Sequence, residues 1–378
     1  MVEWSNQQLE ALADIEAWYW DSDRQCYLLV GYAGTGKTTL AREAAHRLKV
    51  STAFATYTGK AAFVMRQKGC ADADTIDALI YKPHIQYSCL RDPRCNDPPC
   101  NQARCRYLRE KFVGREINED STIADARLVI IDEVSMVNAL MGKDLLSFNR
   151  KVLTLGDNFQ LPPIEGAGFF TNRAADFELT EVRRQAFDSP IIRLATRVRM
   201  GKPLKVGRYG DSRVVTEISS DRMLEHEQII VGTHVTRCDL NGKIRREYGF
   251  RGDAPEPGEK LLCLKNDRRL GLRNGTLWKV LTVRSDAKGF LDMTVVDDDG
   301  NVVDVVAPID TFSATDGSGG DLPGNPFTFG YVITAHKAQG SQWDSVCVVN
   351  EGEWFREHRF RWLYTALTRA AQKVTVVV

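Results

Sequence analysis

No apolar run in this 378-residue chain approaches the roughly 18 to 20 residues that span a bilayer, so a membrane-spanning helix is excluded. The opening stretch, MVEWSNQQLEALADIEAWYW, lacks a basic segment followed by an apolar one and does not read as a secretory signal. Both absences point to an intracellular, cytoplasmic protein. An internal repeat of fixed period is missing as well. With 43% apolar and 26% charged residues, the composition excludes a disordered, collagenous or coiled-coil chain. The length predicts about two to three domains, each able to bury its own core.

Net charge is also absent, with 50 basic residues against 50 acidic ones. The zero hides an asymmetry. Residues 183–208 hold eight Arg or Lys and one acid, whereas residues 286–321 hold nine Asp and one Lys. Each run reads as a solvated face; the basic one also suits a nucleic-acid groove. The nine cysteines argue against a disulfide scaffold in an intracellular protein. Five (Cys26, Cys70, Cys238, Cys263, Cys347) are scattered and read as small buried hydrophobes. The other four, Cys89, Cys95, Cys100 and Cys105, are spaced C-x5-C-x4-C-x4-C, which suggests a metal site with His84 as a substitute ligand. Zinc, an iron–sulfur cluster and unliganded thiols stay open.

Ser5 can cap a helix with Leu9, Leu12, Ile15 and Trp18 or Tyr19 on its apolar face. Short apolar strands at 27–30, 52–56, 128–131 and 153–155 alternate with helical segments, the pattern of a parallel sheet wrapped by helices. Residues 83–125, with clustered Cys, four Pro and many Arg, break that pattern and read as an insertion. A second α/β unit begins near Ile229. Alternating strands from Thr276 to about Gly320 interrupt it and suggest a small β barrel. The unit resumes at Tyr331 and ends in a strand over 373–378.

Gly31-Tyr32-Ala33-Gly34-Thr35-Gly36-Lys37-Thr38 fits G-x-x-x-x-G-K-[ST] between a strand and a helix. Its glycines let backbone N–H groups converge on phosphate oxygens at a helix N-terminus. Lys37 would reach the β- and γ-phosphates, and the Thr38 hydroxyl would ligate Mg²⁺. Asp132-Glu133, ending an apolar strand, would hold the same Mg²⁺ through Asp132 and activate water through Glu133. Gln160, in Gly156-Asp157-Asn158-Phe159-Gln160-Leu161-Pro162-Pro163, can sense a γ-phosphate by hydrogen bonding. Together these residues predict nucleoside triphosphate hydrolysis.

In order along the chain, these motifs resemble those of superfamily 1 helicases, most closely the RecD-like and phage Dda-like branch (superfamily 1B). Ser5-Asn6-Gln7-Gln8 resembles the adenine-reading Q motif. Thr58-Gly59-Lys60-Ala61-Ala62 and Asp74-Thr75-Ile76-Asp77 resemble DNA-contacting motifs, with Asp77 where the family often has His. Leu179 to Gln185 resembles motif IV with Arg184 as its arginine. Asn266 and Asn274-Gly275 resemble paired Asn signals ahead of an SH3-like domain. Ile333 to Ser341 resembles motif V, and Tyr364 to Arg369 resembles motif VI with Arg369 as the second arginine finger.

The resemblance implies an α/β fold of two tandem RecA-like domains: 1A (1–82 and 126–182) and 2A (183–275 and 324–378). A Cys-containing insertion 1B (83–125) would carry a duplex-splitting pin, and 276–323 would form the SH3-like β-barrel insertion 2B. It implies catalysis by Lys37, Asp132, Glu133, Gln160, Arg184 and Arg369. ATP would be contacted by Gln8, Gly34, Thr35, Gly36, Lys37, Thr38, Thr39 and Gly340. Single-stranded DNA would meet Thr58, Lys60, Thr75, Thr334, His336 and Lys337, with Tyr57, Phe159 and Trp343 weighed as either base-stacking or core aromatics. The implied cofactors are ATP and Mg²⁺, with Zn²⁺ at the cysteines. Single-stranded and forked duplex DNA are the implied partners, alongside a single-strand-binding protein or replisome components. The expected activity is 5′-to-3′ DNA unwinding in replication, recombination or repair. A protein-stripping translocase, a motor subunit of a nuclease complex and an RNA helicase are the alternatives. The chain has no Glu-x-Lys tripeptide for a nuclease site of the usual form. Its compact size favours a phage or mobile element, which would place it in the host cytoplasm.

Overall fold

The computed structural model describes residues 4–89, 108–162, 168–181, 189–285, 289–314, 322 and 324–378. The first lobe is a sheet built on β1 (Cys26–Gly31), β2 (Thr52–Thr56) and β3 (Asp74–Thr75). The chain then leaves it as a ribbon, β4 (Tyr81–Cys89) and β5 (Leu108–Ile117), and returns with β6 (Leu128–Asp132), β7 (Lys151–Gly156) and β8 (Phe177–Leu179). The sheet order is β3-β2-β6-β7-β1-β8, with every pair parallel. Helices cover both faces, so β6 reads as an unbroken apolar run with its first four residues buried.

The helix Asn6–Asp21 is capped by Ser5, and Gln8 closes a capping box with it. It buries Ala11, Leu12, Ile15, Trp18 and Tyr19 against β1 and the helix Lys37–Leu48. Leu9, expected on that face, is 43% exposed, because Gln8 turns inward in its place. The ribbon pairs antiparallel from Tyr81↔Ile117 to Cys89↔Leu108, two residues earlier than the predicted insertion. Cys89 closes β4; Cys95, Cys100 and Cys105 lie outside the described residues.

The second lobe opens with β9 (Gly207–Tyr209), β10 (Ser212–Val215) and β11 (Gln228–Val231). A separate sheet follows, made of β12 (Lys260–Cys263), β13 (Leu277–Ser285), β14 (Phe290–Asp297), β15 (Val302–Pro308) and β16 (Phe327–Phe329). β17 (Val332–Thr334), β18 (Trp343–Val349) and β19 (Ala370–Val377) then complete the lobe. Its sheet runs β17-β11-β18-β19-β10-β9, parallel except for the β9–β10 hairpin. The separate sheet is antiparallel, ordered β15-β14-β13-β12-β16. It extends beyond 276–323, because β12 supplies the backbone partners that β13 would otherwise lack on that edge. The lobes share a core: Leu161, from the loop after β7, is buried with Ile191, Leu194, Trp362 and Leu367 of the second lobe.

Candidate nucleotide site and nucleic-acid cleft

β1 ends in the Gly31–Thr38 turn, and the helix Lys37–Leu48 starts inside it. Gly34 and Gly36 have φ of 82° and 83°, a left-handed backbone that a side chain would strain. Gly31 has no space for a Cβ, which would lie 2.7 Å from Thr35 Oγ1. Lys37 Nζ donates to the Gly31 and Tyr32 carbonyls at 2.5 and 3.1 Å, at the mouth of this turn. Thr38 Oγ1 donates to Asp132 Oδ2 at 2.6 Å, so the hydroxyl and carboxylate expected to hold Mg²⁺ are adjacent. Thr39 follows, half-buried in the same helical turn. Gln8 Nε2 donates to the Thr35 carbonyl at 2.9 Å while its Oε1 accepts the Ser5 N–H. The amide thus ties the phosphate turn to the N-terminus of the first helix.

Glu133 sits just past the strand at φ 58°, a left-handed backbone. Burial pushes its pKa up, opposed by the Arg369 guanidinium. Arg369 is itself buried and held by the Thr365 and Ser341 carbonyls and Thr368 Oγ1. Gln160 is buried, and its Oε1 has no hydrogen-bond partner among the described residues. An orphaned acceptor beside a phosphate turn suits a bound water or hydroxyl donor. Arg184 lies outside the described residues.

The loop carrying Gln160 is strapped to the second lobe. Tyr364 OH donates to Asp157 Oδ2 at 2.6 Å and accepts Ala33 N–H at 2.9 Å. Leu161 N–H donates to Thr365 Oγ1 at 3.0 Å, and Gln339 Nε2 donates to the Leu161 carbonyl at 3.1 Å. Tyr364 belongs to a recognised motif, but its spacing there carried no hint of this bridge. Phe159 packs edge-on against Tyr364 at 5.2 Å and is a structural aromatic.

A cleft of about 940 Å³ runs between the lobes. Thr58, Lys60, Thr75, Thr334, His336 and Lys337 all line it, although they come from both lobes. The three threonines are helix N-caps whose side chains accept from Ala61, Ala78 and Lys337 N–H groups. Burial lowers the pKa of Lys60 and Lys337. Lys60 Nζ stands 4.6 Å over the Trp343 ring, and Lys337 Nζ donates to Asn274 Oδ1 at 3.0 Å. Burial and neighbouring His234 hold His336 below the usual imidazole range, so it is neutral at pH 7. Tyr57 also lines the cleft.

Two placements depart from expectation. Gly340, expected at the nucleotide, has φ 73° and abuts Thr58, where a Cβ would lie 2.4 Å from Oγ1. Its missing side chain serves the approach of the two lobes at the cleft. The described part of the basic run, 189–208, does not line the cleft. Arg199 instead lies 3.4 Å over the Tyr32 ring of the phosphate turn, because its helix buries Ile191, Leu194, Ala195 and Val198. Arg115, Arg268 and Arg273 supply cations to the cleft in its stead; the last two lie between Asn266 and Asn274-Gly275, a pattern read only for its asparagines. Among the described residues, no group of three or more His, Cys, Asp or Glu is placed to hold a metal, and no helix is long and apolar enough to cross a membrane.

Comparison with known proteins agrees with this geometry. A family profile described as an AAA domain matches residues 3–220, and one described as a UvrD-like helicase C-terminal domain matches residues 329–377. The ATP-dependent RecD2 DNA helicase of Deinococcus radiodurans is 30% identical over 279 residues, covering 65% of this chain and 35% of that protein. The chain thus spans little more than a third of that relative's length. The Bacteroides Pif1 helicase in complex with ADP-AlF3 and ssDNA is similar in structure at a TM-score of 0.57 and 17% identity, over 99% of this chain and 92% of that one. The Candida albicans Pif1 helicase gives 0.52 and 18%, over 100% and 95%. At such identities the likeness is one of fold, two RecA-like P-loop lobes.

Proposed function

We propose that this chain, a member of the AAA-domain P-loop family, is an ATP-dependent DNA helicase of the RecD/Pif1 branch of superfamily 1. It would translocate 5′ to 3′ on single-stranded DNA and unwind forked duplex. One observation carries this reading: the cleft and the phosphate turn are separate sites joined through the strap at Asp157–Leu161. Hydrolysis at one site can therefore move the lobes that line the other.

In this mechanism the phosphate turn and Lys37 neutralise the triphosphate. Thr38 and Asp132 would hold Mg²⁺, which would supply positive charge to offset that of the phosphates. Glu133 takes a proton from the attacking water, and Gln160 orients it. Arg369, with Arg184, stabilises the charge of the transition state. The ribbon β4–β5 would serve as the 1B pin and the antiparallel sheet as the SH3-like 2B insertion. Zinc at Cys89, Cys95, Cys100 and Cys105 is supported by spacing alone. Single-strand-binding or replisome partners are the natural company for this activity.

The test is unwinding of paired duplexes carrying only a 5′ or only a 3′ single-stranded tail. The 5′-tailed substrate should be unwound with ATP by wild type and not by Lys37→Ala, which should still bind single strands. Equal unwinding from a 3′ tail removes the polarity. ATP-dependent movement on single strands without any unwinding favours the protein-stripping translocase.

A further inference from the structure

Two carboxylates line a cleft otherwise furnished with cations and helix caps: Asp74, whose Oδ1 accepts the Thr75 N–H at 2.7 Å, and Asp77. The Asp77 oxygens bind two arginines that come from different parts of the molecule. Arg115 Nη1 donates to Asp77 Oδ1 at 2.7 Å, and Arg268 Nη2 lies 4.0 Å from Oδ2. Arg115 belongs to β5 at the base of the ribbon. It is held a second time by the Tyr81 ring, 3.8 Å beneath its guanidinium. The Tyr81 hydroxyl is anchored in turn by Asp144 at 2.5 Å. Arg268 belongs to the loop between β12 and β13, on the far side of the cleft. All three line the same cleft as Lys60 and Lys337.

A carboxylate here repels a nucleic-acid backbone and weakens strand binding, unless its purpose is to compete with that backbone. A guanidinium fork fits carboxylate and phosphate oxygens with the same planar geometry. The Asp77 side chain is 47% exposed and that of Arg268 50%, so these ion pairs are weak and exchangeable. We propose that Asp77 is a built-in surrogate for a strand phosphate. It latches Arg115 and Arg268 across the cleft in the free protein and gives them up to backbone phosphates when a strand enters. The exchange unties the ribbon base from the opposite loop, so strand entry and ribbon position are linked. This proposal rests on the cleft being the single-strand site, and it adds Arg115 and Arg268 to that site.

The experiment is equilibrium binding of a labelled oligothymidylate across a salt series, with thermal melting to check folding. Asp77→Asn keeps the shape and removes the charge. It should tighten binding about three- to tenfold, from two exposed ion pairs released, and steepen the slope of log affinity against log salt by about 0.7. In an Arg115→Ala Arg268→Ala background, which itself should bind more weakly, the same substitution should give a clearly smaller gain, from relief of repulsion alone. Unchanged or weaker binding by Asp77→Asn, or an equal gain in that background, overturns the latch and leaves the cleft assignment standing. Failure of wild-type protein to bind the oligomer overturns both.

Discussion

The Tyr364 hydroxyl lies between Asp157 and Ala33, donating to the first at 2.6 Å and accepting from the second at 2.9 Å. Asp157 sits on the loop that carries Gln160, and Ala33 on the phosphate turn, while Tyr364 belongs to the second lobe. Burial and the Asp157 charge both raise the Tyr364 pKa, so the hydroxyl remains a donor at any working pH. One side chain of the second lobe thereby registers the position of two parts of the nucleotide site.

Tyr364→Phe keeps the ring and its edge contact with Phe159 but leaves a buried carboxylate and a backbone N–H without this partner. Such losses cost about 1–3 kcal/mol. Strand-stimulated ATPase should fall by about tenfold or more, the equivalent of 1.4 kcal/mol in the barrier. Single-strand affinity without nucleotide should stay at the wild-type value. Steady-state ATPase with and without oligothymidylate checks this. Full stimulation in the variant would remove the relay.

Glu133 must be ionised to accept a proton, yet burial favours its neutral form. Its pKa lies above the usual value of about 4.3, so turnover should be full above the raised pKa and lost as pH falls through it. Measured at saturating ATP and strand, kcat should show an acid-side inflection displaced upward from an ordinary glutamate. Glu133→Gln should abolish turnover while retaining nucleotide binding. A kcat flat to the ordinary glutamate range argues against Glu133 as the base.

Arg369 is preorganised by three oxygen acceptors and faces Glu133. Replacing it or Arg184 by Ala should lower strand-stimulated hydrolysis by about 10³ to 10⁵ and affect nucleotide affinity far less. Turnover and nucleotide binding measured on the same variants separate the two effects. A loss confined to affinity would contradict the finger role.

The four clustered cysteines carry an expectation about metal. Purified, reduced protein should release about one zinc per chain on thiol titration. Cys95→Ser with Cys100→Ser should impair unwinding more than strand-stimulated ATPase, because an insertion of this size needs a crosslink to stay rigid. Metal analysis that finds neither zinc nor iron would end this reading.

Contiguous motifs were readable before any fold was known. Gly31 to Thr38 and Asp132-Glu133 do their work within a few residues of one strand end, so adjacency in sequence is adjacency in space. The strands themselves were legible because helices cover both faces of each parallel sheet and leave apolar runs behind. Leu9 was misread for a local reason: a capping glutamine took the inward position beside it.

Charge was legible as density and illegible as direction. The basic run after Thr180 suggests a groove, yet burial of Ile191, Leu194, Ala195 and Val198 turns Arg199 onto Tyr32 instead. Of the arginines that do line the cleft, Arg268 and Arg273 lie between the Asn266 and Asn274-Gly275 signals and Arg115 stands in the ribbon; none belongs to the long basic run. Tyr364 and Asp157 are 207 residues apart, and Arg115 and Asp77 are 38 apart. A hydrogen bond between distant side chains imposes no periodicity on the chain between them, so local reading cannot find it. Local chemistry thus identifies the parts proposed to bind phosphate and activate water, whereas packing of one lobe against the other selects which side chains join those parts.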